Sequence, residues 1–375
     1  MRILYIFYQY PLYLKGSYFQ EFLNAVCKKI KKIGLISYYY PKTEFTQPKN
    51  LKIYWLKKPN LSFIDELLFI VLVLLKVLIC KDLKNYDLTN CIGPRGLLAG
   101  WYLKKKYKIP LVCTIEMLNE QKGIKNSFIY SLSKILLTKI PIDKFICWSK
   151  YYKQHLISWG IPDSKIIIIP PGIDTTKYHP NIIGKVIKNK YSPKNPLIVF
   201  AKPLYLHHVK AVKLIIKAIA ILKPKIKINF LVGSGDGKKQ IIAYAKKLKI
   251  LNQVKFMPPI PFPQMPKYLA AADLVVLPFT YAPTVSRSLL EAMAIKKPII
   301  TTKVGENKII LKNNHHVLFC LNSESKLAKK IIILLNNKKL TLKLKQSARL
   351  LILEKFSLNK IVLQHINCYN QLIKK

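Results

Sequence analysis

The segment Leu274–Ala294 reads LVVLPFTYAPTVSRSLLEAMA, and its order of apolar, polar and helix-forming residues decides the fold prediction. The large aliphatic residues that lead up to Pro278 indicate a buried strand. A polar loop follows, and a helix is predicted to begin near Ser286. The free backbone N–H groups and the dipole at such a helix start favour an anion. The segment therefore predicts a strand–loop–helix unit whose loop can bind a phosphate group.

Charged side chains accompany the predicted helix start. Arg287 in the first turn would add a bidentate contact to a phosphate. Glu291, one turn further on, would accept hydrogen bonds from ribose hydroxyls. In the alternative interpretation, Ser286 is an N-cap that needs no ligand, and Glu291 is an exposed helix charge. Both interpretations are open at the level of this segment.

Apolar strand-like runs alternate with amphipathic segments on both sides of this unit, which predicts parallel sheets built from βαβ units. The predicted strands are Ile3–Tyr8, Leu35–Tyr40, Ile109–Thr114, Lys144–Trp148, Leu197–Ala201, Lys227–Val232, Val254–Phe256, Leu274–Pro278 and Pro298–Thr302. The predicted helices are Tyr18–Ile33, Leu97–Lys106, Lys150–Trp159, Ala211–Leu222, Lys238–Leu248, Ser286–Ala294 and Ser325–Asn336.

Chain length and the segment Pro170–Lys194 together indicate two domains. A chain of 375 residues suits two domains of ordinary size, and this segment, rich in Pro, Lys and Asn, separates the two series of elements. We predict one domain over residues 1–180, a second over 181–350, and a helical segment over 351–375 that packs toward the first domain. Because ligands of doubly wound sheets bind outside the carboxyl ends of the strands, the cleft between the domains is the expected active site.

The chain is strongly basic, with 64 Lys and Arg against 17 Asp and Glu and a formal net charge of +47. This charge predicts attraction to phosphates, a lipid surface or nucleic acid, although its even spread also fits compositional drift. No specific nucleic-acid partner is expected, because no nucleic-acid-binding signature accompanies the charge. The few arginines indicate positions where a rigid guanidinium is required, and they are Arg2, Arg95, Arg287 and Arg349.

The cysteines and one apolar run bear on the cellular location. The seven cysteines are scattered singly, without CxxC or metal-ligand spacing, which indicates free thiols in a reducing cytosol and no metal site. The strongest membrane candidate, Leu67–Cys80, has 14 residues and contains Lys76. Spanning a bilayer takes roughly 20 apolar residues, so this run predicts a buried helix or a helix on a membrane surface.

Several segments, in the same order along the chain, resemble glycosyltransferase family 4 (group 1). Ser286–Ala294, followed by Lys297–Thr302, is similar to the donor-site signature of that family. The other resembling segments are Pro11–Glu21, Ile169–Asp174, Asn229–Gly237, Val254–Met257 and Tyr268–Asp273. The resemblance implies the glycosyltransferase-B fold, an α/β architecture of two Rossmann-like doubly wound parallel-sheet domains facing a central cleft. It also implies a nucleotide-sugar donor in the C-terminal domain, an acceptor in the N-terminal domain, retention of anomeric configuration, and no bound metal or cofactor.

The resemblance also implies a set of donor-binding residues, which are Gly16, Ser17, Lys202, Lys210, Gly233, Ser286, Arg287, Ser288 and Glu291. The family's Arg and Lys after the first C-terminal strand correspond best to Lys202 and Lys210. Without a ligand, either lysine is interpreted as a solvated surface charge. Gly233, which begins the motif GSGDG, is interpreted either as a plain turn or as a point of close backbone approach to the donor.

The chain departs from the family pattern at two positions. The first of two glutamates is absent, because Pro283 stands where it is expected. The family often has a His after the strand that ends at Thr114, and this chain has Glu116 there. Glu116 is interpreted either as a catalytic polar contact to the sugar or as an ordinary loop carboxylate. Arg95, just ahead of a helix, is interpreted either as an acceptor-phosphate contact or as a contact to a helix terminus.

These features predict an enzyme, a hexosyltransferase-like glycosyltransferase that moves a sugar from a nucleotide-sugar to a glycan or lipid-linked acceptor. A membrane surface is a further expected partner, and the expected location is the cytoplasm, including the cytoplasmic face of the membrane. The missing Glu and His motivate a second hypothesis, a catalytically impaired relative that binds sugar nucleotides. A third hypothesis is a sugar-nucleotide epimerase or a phosphorylase on the same fold.

Overall fold

The computed structural model describes residues 1–8, 18–39, 47–58, 65–117 and 128–374. The chain divides into two compact units. Unit 1 consists of Met1–Gly172 together with Leu358–Lys375, and unit 2 consists of Ile173–Ser357. The chain thus changes unit at Gly172 and at Ser357, whereas the sequence analysis placed these changes at residues 180 and 350.

Unit 1 is built on a parallel sheet that has seven strands in the part of the chain that the structure describes. The strands are β1 (Arg2–Phe7), β2 (Lys32–Tyr38), β3 (Leu51–Leu56), β4 (Leu88–Ile92), β5 (Leu111–Ile115), β6 (Lys144–Cys147) and β7 (Ile166–Ile168). Their order in the sheet is β3-β2-β1-β4-β5-β6-β7. The direction of strand addition reverses between β1 and β4, as in a doubly wound sheet.

Helices cover both faces of the unit 1 sheet. They are α1 (Tyr18–Cys27), α2 (Asp65–Ile79), α3 (Leu97–Tyr107), α4 (Phe128–Lys139) and α5 (Lys150–Ser158), with α14 (Leu358–Ile373) at the end of the chain. Buried residues of α2 to α5 form one core cluster with one face of the strands. Those of α1 and α14 form a second cluster with the opposite face. The C-terminal helix therefore completes the unit that the N-terminus begins.

Unit 2 has a parallel sheet of six strands within the described residues, in the order β10-β9-β8-β11-β12-β13. The strands are β8 (Leu197–Phe200), β9 (Asn229–Val232), β10 (Val254–Phe256), β11 (Leu274–Leu277), β12 (Ile299–Thr302) and β13 (Leu318–Cys320). The helices are α6 (Lys185–Tyr191), α7 (Val209–Leu222), α8 (Lys238–Lys247), α9 (Met265–Ala271), α10 (Arg287–Ala294), α11 (Gly305–Ile310), α12 (Glu324–Asn336) and α13 (Lys338–Leu351). The prediction of two parallel-sheet α/β domains is confirmed.

One sequence-based boundary needs correction, and the structure shows how one predicted helix is buried. The helix predicted over Tyr18–Ile33 ends at Cys27, because Lys32 and the residues after it belong to β2 and pair in register with β1. The helix predicted over Leu67–Cys80 is α2, and only one of its faces is buried, through Phe69, Val73 and Val77. Amphipathic periodicity does not mark a helix end when the next strand is equally apolar.

Two expectations about cysteines and membrane spans can be compared with the structure. All seven cysteines lie in the described part of the chain and are free thiols, as the scattered spacing predicted. Across the described residues, no helix combines the length and the apolar character that crossing a bilayer requires.

Candidate functional site

The candidate site lies in unit 2, where the loops after β8 and β11 leave the sheet. These two strands are neighbours, and β8 also pairs with β9 whereas β11 pairs with β12. The chain therefore continues in opposite directions from the two strands. Their carboxyl ends form the topological switch point at which parallel sheets bind ligands. Lys202 follows β8 and the Ser286 helix start follows β11, so both predicted segments meet at this position.

The helix start is half-buried at Ser286 and Arg287, becomes buried at Ser288, and lacks a side-chain cap. Ser286 occupies the N-cap position of α10 in an extended conformation, and its hydroxyl makes no capping hydrogen bond to the described backbone. Instead, the Ser286 and Ser288 hydroxyl oxygens lie 3.0 Å apart and hydrogen-bond to each other. The Ser286 side chain therefore supplies no cap to the first turn of α10, where the N–H of Leu289 donates to the Ser286 backbone oxygen at 3.0 Å.

Glu291 is held in place by two hydrogen bonds to the same carboxylate oxygen. The side chain is only 4% exposed, so it is not the solvated helix charge of the alternative interpretation. Its Oε1 accepts a hydrogen bond from Arg287 Nε at 2.7 Å and one from the Tyr178 hydroxyl at 3.0 Å. Arg287 also lies over the ring of Phe262, 4.4 Å from its centroid. These contacts fix the position of the Glu291 carboxylate.

Lys202 brings a second positive charge to this carboxylate. Burial lowers the pKa of the Lys202 ammonium, and the charge of Glu291 opposes that effect by raising it. The ammonium also lies over the ring of Phe279, 5.3 Å from the centroid. Lys202, 89 positions before Glu291, is thus partly buried beside the loop that follows β11, and the charge of Glu291 acts on it.

The glycine motif has a structural explanation at its first position. A Cβ added to Gly233 would lie 2.3 Å from the backbone oxygen of Lys202, which is closer than real Cβ atoms approach an oxygen. The loops after β8 and β9 are also tied together, since the N–H of Leu204 donates to Ser234 and the N–H of Gly237 donates to Leu204. Gly233 therefore allows the close approach of two backbones that places Lys202 at the switch point.

Two further residues support the site, although the sequence analysis did not predict either as a site residue. Tyr178 follows the resembling segment Ile169–Asp174, and its buried hydroxyl donates to Glu291. Arg349 Nη1 donates to the backbone oxygens of Tyr178 at 2.9 Å and Ala294 at 2.7 Å. Arg349 thus ties the Tyr178 backbone to the carboxyl end of α10. The scarcity of arginine was the signal that could have indicated this role.

A buried acidic residue lies beside the loop that carries Pro283. The backbone N–H of Glu306 donates to the oxygen of Ala282 at 2.8 Å, and Glu306 is 3% exposed. Gly305 has φ +48°, and a Cβ there would lie 2.0 Å from the same oxygen. The close approach of Gly305 therefore holds the backbone of Glu306 against Ala282, the residue that precedes Pro283.

The predicted residues of unit 1 have different surroundings. Glu116 follows β5 and is partly buried, which raises the pKa of its carboxyl to about 8. Arg95 Nη2 forms an ion pair with Glu66 Oε1 at 2.7 Å, and its guanidinium lies 4.7 Å from the ring centroid of Tyr8. Gly16 and Ser17 lie outside the described residues. Arg95 thus has an acidic partner within unit 1.

The remaining candidates neither join this cluster nor form a metal site. Lys210 is exposed in the first turn of α7. His208 Nδ1 donates to the backbone oxygen of Pro203 at 2.7 Å, and burial lowers the pKa of its imidazole to about 4. No group of three or more His, Cys, Asp or Glu residues in the described ranges is arranged to hold a metal ion.

Comparisons with known proteins agree with this arrangement. Residues 34–177 match the family Glycosyltransferase Family 4, and residues 185–351 match Glycosyl transferases group 1. A D-inositol 3-phosphate glycosyltransferase of Nocardia farcinica is 25% identical over 240 residues, which are 59% of this chain and 52% of that protein. The chain thus spans about half the length of the curated relatives it matches.

Solved structures with the same fold cover the chain almost completely. Anabaena Alr3699/HepE in complex with UDP-glucose has a TM-score of 0.78 at 19% identity, covering 99% of this chain and 100% of that one. Sucrose-phosphate synthase from Thermosynechococcus elongatus has a TM-score of 0.80 at 17% identity, covering 100% of both chains. The fold is that of the glycosyltransferase-B class. The chain belongs to glycosyltransferase family 4, group 1.

Proposed function

We propose that the protein transfers a sugar from a nucleotide-sugar, of the UDP-sugar class, to a glycan or lipid-linked acceptor, with retention of configuration and without a metal. The observation that carries this proposal is the cluster of Lys202, Arg287 and Glu291 at the switch point of unit 2. The structural neighbour with bound UDP-glucose supports the choice of donor class.

Each member of the cluster has a role in this proposal. The uncapped start of α10 and the Lys202 ammonium attract the diphosphate, because backbone N–H groups and a cation both stabilise phosphate oxygens. Glu291, oriented by Arg287 and Tyr178, accepts hydrogen bonds from the ribose hydroxyls. As the bond between sugar and phosphate breaks, negative charge grows on the departing nucleoside diphosphate, and the same cationic groups stabilise it more strongly.

Glu116 is the proposed polar contact to the transferred sugar. Its carboxyl, with a pKa raised to about 8, is largely protonated at neutral pH and can donate a hydrogen bond. Arg95 remains a proposed acceptor contact, although a phosphate at Arg95 would have to compete with Glu66 for the guanidinium. Lys210, Gly16 and Ser17 are proposed donor contacts from the family resemblance alone.

A thermal-shift panel tests the donor. UDP-, GDP-, ADP- and CDP-sugars are each added with EDTA present, and one nucleotide class is expected to raise the apparent stability. A ligand at one hundred times its dissociation constant contributes about 2.7 kcal/mol. Lys202→Met should lower this contribution to about 1.4 kcal/mol through a tenfold loss of affinity, whereas Lys329→Met, at an exposed position of α12, is the matched control. A panel without any stabilising sugar nucleotide would argue against the proposal, and a shift that required Mg²⁺ would argue against metal independence.

A second hypothesis is a relative that binds the sugar nucleotide without transferring the sugar. Pro283 and Glu116, at positions where the family has Glu and often His, motivate it. Release of nucleoside diphosphate is measured with and without a mixture of glycan and lipid acceptors. Transfer by the wild type that is lost in Glu291→Ala, with folding retained, would exclude this hypothesis. Conversion of the sugar without any acceptor would indicate an epimerase instead.

The proposed location is the cytoplasm, with association at the membrane face that carries a lipid-linked acceptor. Seven free thiols are consistent with a reducing compartment. Fractionation of cells into soluble, salt-extractable and detergent-extractable pools measures this distribution. Recovery of the protein only in the detergent-extractable pool would contradict this proposed distribution.

A further inference from the structure

Helix α2 presents an apolar stripe that the described residues of unit 1 do not cover. Its buried face packs through Phe69, Val73 and Val77, and its opposite face is exposed. The exposed residues are Val71 at 53%, Leu75 at 48%, Leu78 at 49% and Ile79 at 75%. Val71, Leu75 and Leu78 are spaced so that they lie on one side of the helix. Exposed apolar patches of this kind mark surfaces that bind another protein, a membrane or a ligand.

The helices beside α2 extend the same layer. α2 packs on α3, and α3 packs on α4. Each neighbour also exposes large apolar side chains, namely Trp101 on α3 and Phe128 and Ile135 on α4. Because all three helices cover the same face of the sheet, their outer sides form one broad surface on which exposed apolar residues recur.

Positive charge surrounds this surface, and the nearby acidic side chains are already paired. Exposed lysines follow the carboxyl end of α2 and continue onto α3 and α4, namely Lys81, Lys84, Lys105, Lys108, Lys134 and Lys139. The acids of this side have cationic partners, since Glu66 binds Arg95, Asp82 binds Lys52 and Asp143 binds Lys104. The net charge that the surface offers is therefore positive.

A basic groove adjoins the carboxyl end of α2. It has a volume of about 330 Å³ and lies at the amino ends of β1, β2 and β3. Its cationic lining is Arg2, Lys31, Lys32, Lys49 and Lys52, of which Arg2 is paired with Asp87 and Lys52 with Asp82. The Lys52 ammonium lies 2.6 Å from Asp82 Oδ2, in the turn that follows α2. Lys52 thus connects the groove to the turn that follows Ile79, the most exposed apolar residue of α2.

We propose that the outer surface of α2 to α4 and the adjoining groove dock unit 1 on an anionic phospholipid bilayer. The apolar stripe enters the boundary between headgroups and acyl chains, and the groove takes lipid phosphates. A single class of occupant explains both features, because an apolar partner would not require the basic groove and a free polyanion would not require the stripe. The inference rests on the lipid-linked acceptor part of the proposed function and identifies the surface that would bring the enzyme to it.

Flotation of the full chain with vesicles tests this surface. Vesicles of phosphatidylcholine with 30% phosphatidylglycerol, about the anionic content at which polybasic surfaces bind, are compared with pure phosphatidylcholine. The wild type should float with the anionic vesicles at physiological salt. Val71→Glu with Leu78→Glu should weaken this association at least about tenfold. The matched control is Leu342→Glu with Leu350→Glu, which places the same charges on exposed residues of α13.

A second variant examines the groove without altering α2. Lys31→Gln, Lys32→Gln and Lys49→Gln together should weaken anionic-vesicle binding about a hundredfold, because each lysine near the surface contributes about 1 kcal/mol. Thermal shift with the sugar nucleotide is measured on every variant, so that loss of docking is separated from failure of the donor site. The proposal is overturned if the wild type binds neither vesicle, if the α2 variant floats like the wild type, or if the α13 control loses binding equally.

Discussion

Removing one hydroxyl, in Tyr178→Phe, tests whether Glu291 is positioned as we infer. The Tyr178 ring is fully buried and stays in place, so the substitution creates almost no cavity. The lost interaction is a 3.0 Å hydrogen bond to a buried carboxylate oxygen. Hydrogen bonds to charged groups contribute about 1.5–3 kcal/mol. Since Arg287 still donates to the same oxygen, we expect the free energy of unfolding of unit 2 to fall by about 1–2 kcal/mol.

Equilibrium urea unfolding measures this loss, with a probe that reports on unit 2 because two-unit chains need not unfold in one transition. Tyr268→Phe is the matched control, since its buried ring lies against Tyr191 and its hydroxyl has no carboxylate partner shown in the described structure. It should lose less than about 1 kcal/mol. The same pair is compared for affinity toward the stabilising sugar nucleotide, where Tyr178→Phe should bind about three- to tenfold more weakly.

A double-mutant cycle with Glu291→Gln isolates the interaction. If the hydroxyl acts through the carboxylate, Tyr178→Phe should cost clearly less in the Glu291→Gln background than in the wild type. Equal losses of unfolding free energy in both backgrounds would refute the reasoning. A loss below about 0.5 kcal/mol in the wild type would also refute it, because neutral surface changes produce differences of that size.

Three further outcomes are expected. Gly233→Ala should lower the melting temperature by several degrees because its Cβ would meet the Lys202 oxygen; an unchanged melting temperature would show that the loops can separate. Lys202→Met should weaken nucleotide-sugar affinity at least about tenfold, measured by titration calorimetry, and equal affinity would remove Lys202 from the site. The raised pKa of Glu116, about 8 against an ordinary 4.5, means that the folded protein loses stability as pH rises through this range. Glu116→Gln should therefore stabilise more at pH 9 than at pH 5, and a pH-independent difference would contradict burial of the carboxyl.

Local sequence patterns determined the elements of unit 2 closely. The strand predicted over Leu274–Pro278 is observed at Leu274–Leu277, and the helix predicted from Ser286 begins at Arg287 with Ser286 as its N-cap residue. Buried parallel strands are continuous aliphatic runs, so they are visible in a single sequence. The ends of α1 and the two faces of α2 were not visible, because they depend on which strand or helix packs against them.

The sequence by itself determined which residue types stand at the helix start, the scarcity of arginine and the absence of a glutamate at Pro283. Only the tertiary structure decided what these residues do. It brought Tyr178 and Lys202 to Glu291, and it left one face of α2 exposed. The physical reason is that hydrogen bonds, burial and charge coupling depend on distances between residues far apart in the chain, which composition and spacing do not contain.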